Sequence, residues 1–344
     1  MKLLVTGGAG FIGVNAASYF VKKGSDVIIF DNFSRKGCQE NIDWIKKLGS
    51  KNLSIVKGDI RFDQEKLKRL AKGANLVLQL AGQVAVTTSV ENPRDDFENN
   101  ALGTFNVLEA VRKSGNNPIF IYSSTNKVYG NLEDMVIREA QTRYEFKNLP
   151  FGIDEKRNLD FHSPYGCSKG AADQYVRDYA RIYGLHTIVF RQSCIYGPRQ
   201  FGIEDQGWIA WFIIATMFKQ QITIYGNGKQ VRDLLYIDDL LAAYEMSAKN
   251  IKKTRGQIYN IGGGIKNTIS IWFELKPLLE KLFKKEINML ASNSRPGDQT
   301  IFISDIRKAK KDFDWEPKVD IQEGIEKLYT WIQENKDILR KLFT

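Results

Sequence analysis

Tyr165 and Lys169 stand four residues apart in the stretch YGCSK. That spacing puts both side chains on one face of a helix, next to each other. An ammonium beside a phenol favours the phenolate and lowers the tyrosine pKa. A tyrosine prepared in this way can take a proton from a sugar hydroxyl while hydride leaves the same carbon. Earlier in the chain, YSSTNKVYG (residues 122–130) follows the apolar run PIFIY. It reads as a strand that delivers hydroxyl groups to its C-terminal end. Thr125 or Ser124 can hold the reacting hydroxyl in line there. Tyr-x-x-x-Lys is common on ordinary helices, so its meaning depends on what surrounds it.

The N-terminal segment supplies that setting. Lys2–Thr6 is a short apolar strand, Gly7, Gly10 and Gly13 punctuate a turn, and Phe11 to Lys23 has helical periodicity ending at Gly24. DVIIF (Asp26–Phe30) is a second strand, followed by Asp31. Glycines between a strand and a helix let backbone amides approach a pyrophosphate at the helix N-terminus. Phe11 and Ile12 belong to the same turn. Asp31 can accept hydrogen bonds from adenosine ribose hydroxyls, and its charge repels a 2′-phosphate. NAD therefore fits better than NADP, a preference that Arg35 and Lys36 partly offset. Asn32, Ser34 and Arg35 extend this candidate cofactor site. LSIVKGDIR ends at Asp59 and Ile60, placed to border an adenine. NLVLQLAGQ ends at Leu80, Ala81, Gly82 and Gln83. Ser123 and Tyr165 complete the set, and Lys169 can also hydrogen-bond the nicotinamide ribose.

Strands that alternate with helices imply an α/β fold, a doubly wound parallel sheet of Rossmann type. A helix is expected over roughly Asp96–Ser114 and another from about Tyr165 to Tyr183. The dinucleotide-binding part is expected at residues 1–195 plus about 233–262. A smaller, mostly helical substrate part is expected at about 196–232 plus 263–344, laid over the C-terminal edge of the sheet where ligands of open α/β sheets bind. Residues Asn131–Ser163 lack clear periodicity, and a loop of that size is expected to be functional.

Bulk properties exclude several classes. The 344 residues suffice for a well-buried core. No run of about 20 apolar residues occurs, so no membrane span is expected. The net charge of +10 comes from scattered basic residues. It suits attraction of an anionic small substrate rather than nucleic acid. Three distant cysteines, Cys38, Cys167 and Cys194, argue for a reducing, cytoplasmic setting and against disulfides or a zinc site. The only histidines, His162 and His186, fit no metal spacing, so no metal is expected. Cys194 is expected to fill core space, and Cys167, two positions from Tyr165, to point away from the catalytic face.

TGGAGFIG, the Asp31 strand end, LAGQ, Asn100 in FENNALGT, SST, YGCSK and VRDLLYIDDL resemble, in order, the extended short-chain dehydrogenase/reductase family. The resemblance spans nearly the whole chain. It implies bound NAD, a nucleotide-sugar substrate, a homodimer or homotetramer, and a role for Asn100 in holding the cofactor or its surroundings. Dehydrating members carry an Asp-Glu pair directly after the threonine, because elimination needs an extra acid and base. Here Asn126 and Lys127 occupy those positions, which points to reversible oxidation and reduction, as in an epimerase. STNKVYG, the TRYEF to ADQY segment, RQFGIEDQGW and GNGKQVRD resemble the CDP-tyvelose (CDP-paratose) 2-epimerase group. That likeness implies a CDP-sugar, inversion at C2 through a 2-keto sugar with one retained NAD, and lipopolysaccharide O-antigen biosynthesis. A 4-epimerase, a 2-epimerase on a GDP or UDP sugar, and a non-catalytic binding scaffold remain alternatives. Family members bind the substrate diphosphate at the positions of Arg232 and Arg295, where an arginine fork suits phosphate oxygens. Asp298 is expected to orient Arg295. Asn126, Ser193, Arg199, Gln200, Gln206 and Trp208 are candidates for sugar and nucleotide contact, and Tyr225 for the base. Glu155 and His162 lie in the long loop and can reach the sugar or serve packing.

Overall fold

The computed structural model describes residues 1–295 and 297–343. Its first half alternates β1 (Lys2–Thr6), α1 (Phe11–Lys22), β2 (Asp26–Asp31), α2 (Cys38–Lys46), β3 (Leu53–Lys57), α3 (Gln64–Lys72) and β4 (Leu76–Gln79). Then come α4 (Val86–Glu91), α5 (Pro93–Phe97), α6 (Gly103–Ser114), β5 (Ile119–Thr125), the hairpin β6 (Ile137–Glu139) and β7 (Tyr144–Phe146), α7 (Ser163–Ile182) and β8 (Thr187–Gln192). The second half holds β9 (Cys194–Tyr196), α8 (Trp208–Met217), β10 (Thr223–Tyr225), β11 (Val231–Tyr236), α9 (Ile237–Lys249), α10 (Ile251–Thr254) and β12 (Gln257–Ile261). It ends with β13 (Thr268–Ser270), α11 (Leu275–Phe283), β14 (Leu290–Ser292), β15 (Ile301–Phe302), α12 (Arg307–Phe313), α13 (Ile321–Glu334) and α14 (Lys336–Phe343).

Seven parallel strands form the main sheet in the order β12-β8-β5-β4-β1-β2-β3. Both faces are buried, as the near-continuous apolar strands require. Side-chain alternation divides them: Leu3, Val5 and Ile29 pack with α1 on one face, and Leu4, Ile28 and Phe30 pack with α3 and α6 on the other. The strand order reverses between β1 and β4, which opens a crevice at their C-terminal ends. Glycine is needed there. Gly7 has φ +69°, and a Cβ on it would lie 2.6 Å from Ala81 N. A Cβ on Gly13 would lie 2.2 Å from Gly7 O, so α1 could not start so close to β1.

Two departures from the sequence-based expectations bear on the site. The helix expected over Asp96–Ser114 is broken by a π-turn at Glu98–Leu102 between α5 and α6. The long segment after β5 is ordered by packing: Leu132 and Ile153 join Val128, Tyr129 and Phe302 in a separate apolar cluster. Its hairpin also docks through Arg143, which pairs with Glu274 and donates to Thr268 Oγ1 at 3.0 Å. The C-terminal part combines α11 to α14 with short strands, because β11 pairs with β13, β15 and β9. Among the described residues no helix is long and apolar enough to cross a membrane.

The catalytic-helix candidate, α7, is clamped to the sheet by a buried ion pair. Arg191 of β8 donates through Nε and Nη2 to Asp173 of α7 at 2.9 and 3.0 Å. Arg191 is 2% exposed and Asp173 0%. Removing one partner strands the other's charge away from water. Asp173→Ala is expected to lower the unfolding free energy by about 3–5 kcal/mol in urea titrations, and a loss under about 1 kcal/mol would contradict the clamp.

Candidate active site

Two adjoining clefts lie above the C-terminal ends of the strands, with volumes of about 290 and 360 Å³. Val84 and Gln206 line both. The first is walled by Gly7 and Gly10 from the β1 turn, Asp31, Asn32, Ser34 and Arg35 after β2, Asp59 and Ile60 after β3, and Leu80 to Gln83 after β4. Asp31 accepts backbone N–H groups from Ala9 at 3.0 Å and Phe33 at 2.8 Å. Each carboxylate oxygen has two lone pairs, so capacity for ribose hydroxyls remains. Asp59 is held by Arg61 and by Asn32 Nδ2 at 2.9 Å. Gly13 lies beneath this wall, while Phe11 and Ile12 pack against the core.

The second cleft collects Thr125, Asn126, Lys127, Tyr165, Ser193, Gln200, Tyr225, Arg232, Arg295 and Asp298. Thr125 ends β5, and Tyr165 sits in the first turn of α7. The orphan amides of that turn are capped from outside: Tyr165 N–H donates to Ser89 Oγ at 3.1 Å, and Gly166 N–H to Ser163 Oγ at 3.2 Å. Thr125 pairs with the Tyr165 hydroxyl. Lys169, one turn on, donates to the carbonyl of Ser123. Burial pushes the Tyr165 phenol up to about 12, against the pull of Thr125. Burial pushes the Lys169 ammonium down to about 7, against the carboxylates of Asp96 and Asp173.

The mouth of this cleft carries paired charges. Arg232 donates to Asp298 at 2.6 Å. Arg295 pairs with Asp205 at 2.9 Å, and its guanidinium carbon lies 3.6 Å from the centre of the Tyr225 ring. Tyr225 donates to Glu204 at 3.0 Å. Two cations, a buried hydroxyl pair and an adjoining dinucleotide-shaped cleft suit an anionic carbohydrate beside a redox cofactor.

Comparison with known proteins agrees with this geometry. Residues 4–328 match the family described as GDP-mannose 4,6 dehydratase. The chain belongs to that family, within the extended short-chain dehydrogenases/reductases. It is 49% identical over 337 residues to the CDP-paratose 2-epimerase of Salmonella typhi, covering 96% of this chain and 99% of that protein. It is 33% identical to a putative UDP-glucose 4-epimerase of Methanocaldococcus jannaschii, over 97% and 99% of the two chains. Among solved structures, the UDP-glucose 4-epimerase of Thermotoga maritima with UDP-glucose superposes with a TM-score of 0.82 at 30% identity, over 98% and 100% of the chains. The UDP-glucuronic acid 4-epimerase of Bacillus cereus, with UDP-glucuronic acid and NAD, gives 0.83 at 27% identity, over 97% and 99%.

In this member of the family several sequence-based expectations change. Ser124 points away from the cleft, because alternation along β5 turns it to Asp173, to which it donates at 2.8 Å. Ser123 offers its carbonyl to Lys169, while its hydroxyl bonds Gln192 at 2.9 Å. Arg199 lines neither cleft; it is buried between Trp44 and Trp331, 4.3 and 5.4 Å from the ring centres. Asp298 orients Arg232 rather than Arg295. Burial dominates the Tyr165 phenol, and the Lys169 ammonium donates to Ser123 O. Cys194 packs against the core, as expected, and also lines the second cleft. Cys167 is exposed, as expected. Glu155 serves packing, accepting from Asn260 N at 2.8 Å, and no residue of 131–163 lines either cleft.

The π-turn separates two neighbouring asparagines. Asn99 lines the first cleft, whereas Asn100 is buried below it and donates to Asp96 and Ser168 at 3.0 and 3.1 Å. Sequence reading picked Asn100 alone, since an uninterrupted helix gives no reason to aim Asn99 at the cleft. Glu204 and Asp205 were also missed; their loop shows no periodicity to orient them.

Lys169 gives a test by pH. Its pKa falls from 10.5 to about 7 on folding, so between these values the unfolded chain carries more protons. Its contribution therefore becomes less unfavourable as pH rises through that window. Lys169→Met is expected to gain most in stability over the wild type below pH 7, with the gain vanishing towards pH 10.5, as read from urea midpoints across pH. A pH-independent difference would contradict the shift.

Proposed function

We propose that the protein is an NAD-dependent nucleotide-sugar epimerase that inverts C2 of a CDP-linked dideoxyhexose. One observation carries the choice of epimerisation over elimination. Every carboxylate that lines the substrate cleft is already engaged: Glu204 by Tyr225 at 3.0 Å, Asp205 by Arg295 at 2.9 Å, and Asp298 by Arg232 at 2.6 Å. Elimination needs an acid and a base besides the group that handles the oxidised carbon. Beside Thr125 stand Asn126 and Lys127, neither of them an acid. The CDP and C2 assignments are supported by the likeness to the Salmonella protein.

The first cleft fits NAD. Gly7 and Gly10 leave the cleft wall at the β1 turn bare of side chains, and Asp31 closes it with acceptors for ribose hydroxyls. NAD supplies, when bound, a reversible hydride acceptor. The chain's own residues do the rest. Thr125 and Tyr165 hold the sugar hydroxyl; Tyr165 takes its proton as the phenolate, a form that the positive charges of Lys169 and of bound nicotinamide would favour over the phenol held near 12 by burial, and later returns it. Lys169 holds a positive charge behind them and reaches the cofactor ribose. Arg232 and Arg295 anchor the diphosphate at the mouth, so the sugar can turn while its nucleotide stays in place. Both faces of the carbon must come within about 3–3.5 Å of attack distance.

Incubating the protein with CDP-paratose in deuterated water, without added NAD, is expected to yield the C2 epimer with no deuterium at C2 by NMR. Deuterium at that carbon would replace hydride transfer by proton abstraction, and inversion at C4 of a UDP sugar would favour the other epimerase reading. Tyr165→Phe is expected to keep its NAD and to lose at least about 10²-fold in kcat, the lower end of what a positioned acid/base contributes. A Phe variant that retains wild-type turnover would remove Tyr165 from that role.

A further inference from the structure

Lys127 belongs to the single 3₁₀ turn Asn126–Tyr129 that follows β5. Its backbone N–H donates to Thr125 Oγ1 at 3.2 Å, so the root of its side chain is tied to the hydroxyl that the proposed reaction uses. The side chain lines the same cleft as Thr125 and Tyr165. Its Nζ donates to Gly297 O at 3.1 Å and stands 3.7 Å from Asp298 Oδ1. That same oxygen accepts the much shorter bond from Arg232, at 2.6 Å. Arg232 therefore neutralises Asp298, and Lys127 keeps only a loose contact with it. An ammonium has three N–H donors. Gly297 takes one, and 3.7 Å is too long for a good hydrogen bond to Asp298. Donor capacity is left inside the cleft, on a cation largely removed from water. A buried ammonium is costly unless oxygens surround it, and a polyhydroxyl ligand provides them.

We propose that Lys127 is a second anchor for the sugar: its Nζ–H donates to a substrate oxygen in one of the two orientations that the ring adopts during inversion. The proposal rests on the epimerase reading above. Inversion requires the sugar to leave the hydroxyl pair of Thr125 and Tyr165 on one face and return on the other. Between those positions the diphosphate anchors hold the nucleotide but nothing in that pair holds the turned ring. A lysine on a flexible four-carbon stem can follow an oxygen through such a turn, whereas Arg232, bonded to both Asp298 and Val231 O, cannot. Leaving Asp298 costs Lys127 little, because Arg232 still balances that carboxylate.

The test uses the NAD-loaded enzyme with CDP-paratose and compares wild type, Lys127→Met and Lys127→Arg. Lys127→Met is expected to lose about 10–100-fold in kcat, the worth of one charge-assisted hydrogen bond. Its affinity for CDP alone is expected to stay within about threefold, since the anchors of the diphosphate are untouched. Reduced nicotinamide is expected to build up in this variant, seen by its fluorescence, because the oxidised sugar is no longer held through the turn. Lys127→Arg is expected to recover part of the loss. The groups facing Lys127 are Asp298, Arg232 and the thiol of Cys194, and its ammonium is lowered to about 8, chiefly by burial. Wild-type kcat is therefore expected to show a falling limb near pH 8 above the one that Lys169 gives near 7, and Lys127→Met is expected to keep only the lower limb. A tie that is only structural predicts the reverse pattern: a lower melting temperature and weaker CDP binding with kcat, pH profile and nicotinamide fluorescence unchanged. That result would overturn the anchor. If Lys127→Met does not fold, Lys127→Gln gives the same readouts. A wild type that inverts CDP-paratose while the variants match its kcat removes the anchor alone. A wild type that inverts no CDP, UDP or GDP hexose removes the epimerase reading and the anchor with it.

Discussion

A buried carboxylate fixes α7, the candidate catalytic helix, against the sheet. Asp173 lies one turn beyond Lys169, which lies one turn beyond Tyr165, so all three share one stripe of α7. Asp173 accepts two bonds from Arg191 on β8 and one from Ser124 on β5. These bonds fix the rotation and height of α7 against two neighbouring strands. Only then does Tyr165 meet Thr125, and Lys169 the carbonyl of Ser123. The charge itself is no gain over an apolar contact, since burying both partners is costly. What it gives is a unique register, because any other would leave a charge unpaired.

The same alternation that sends Ser124 to Asp173 sends Thr125 to the cleft. Structure and chemistry are thus divided between adjacent hydroxyls of one strand. Beyond Thr125 the turn continues the division. Asn126 Nδ2 donates to Gln299 Oε1 at 2.8 Å, and Gln299 Nε2 donates to Gly130 O at 2.6 Å. Lys127 reaches Gly297 and Asp298. The end of β5 is therefore bonded to the segment that carries Arg295 and Asp298. The candidate acid/base hydroxyl pair and the candidate diphosphate anchors sit on one connected frame. Such a frame can keep a nucleotide fixed while leaving the sugar space to turn.

The long segment after β5 shows how a loop can matter without entering the site. Its apolar residues bury Phe302, and Ile153 pairs with Ser304 next to β15. The expectation of a functional loop drew on its length alone. Length marked it as more than a connector, and it packs against β15, the neighbour of the strand that carries Arg232.

How much was legible in the chain follows from the range of each interaction. The strand-turn-helix at Gly7 to Gly13, the acid after β2 and the Tyr165–Lys169 pair were readable, because their geometry is set within a few residues. The parallel sheet followed from alternation of strands and helices. The sequence could not say that Asp298 serves Arg232, that Arg199 stacks between Trp44 and Trp331, or that Cys194 borders a cleft, since those partners are distant in the chain. It could not separate Asn99 from Asn100, because one π-turn shifts the face that each presents. The titration of Tyr165 and Lys169 was also decided by tertiary structure. Spacing predicts the attraction between an ammonium and a phenol, but the cost of burying both depends on everything packed around them, and here burial dominates.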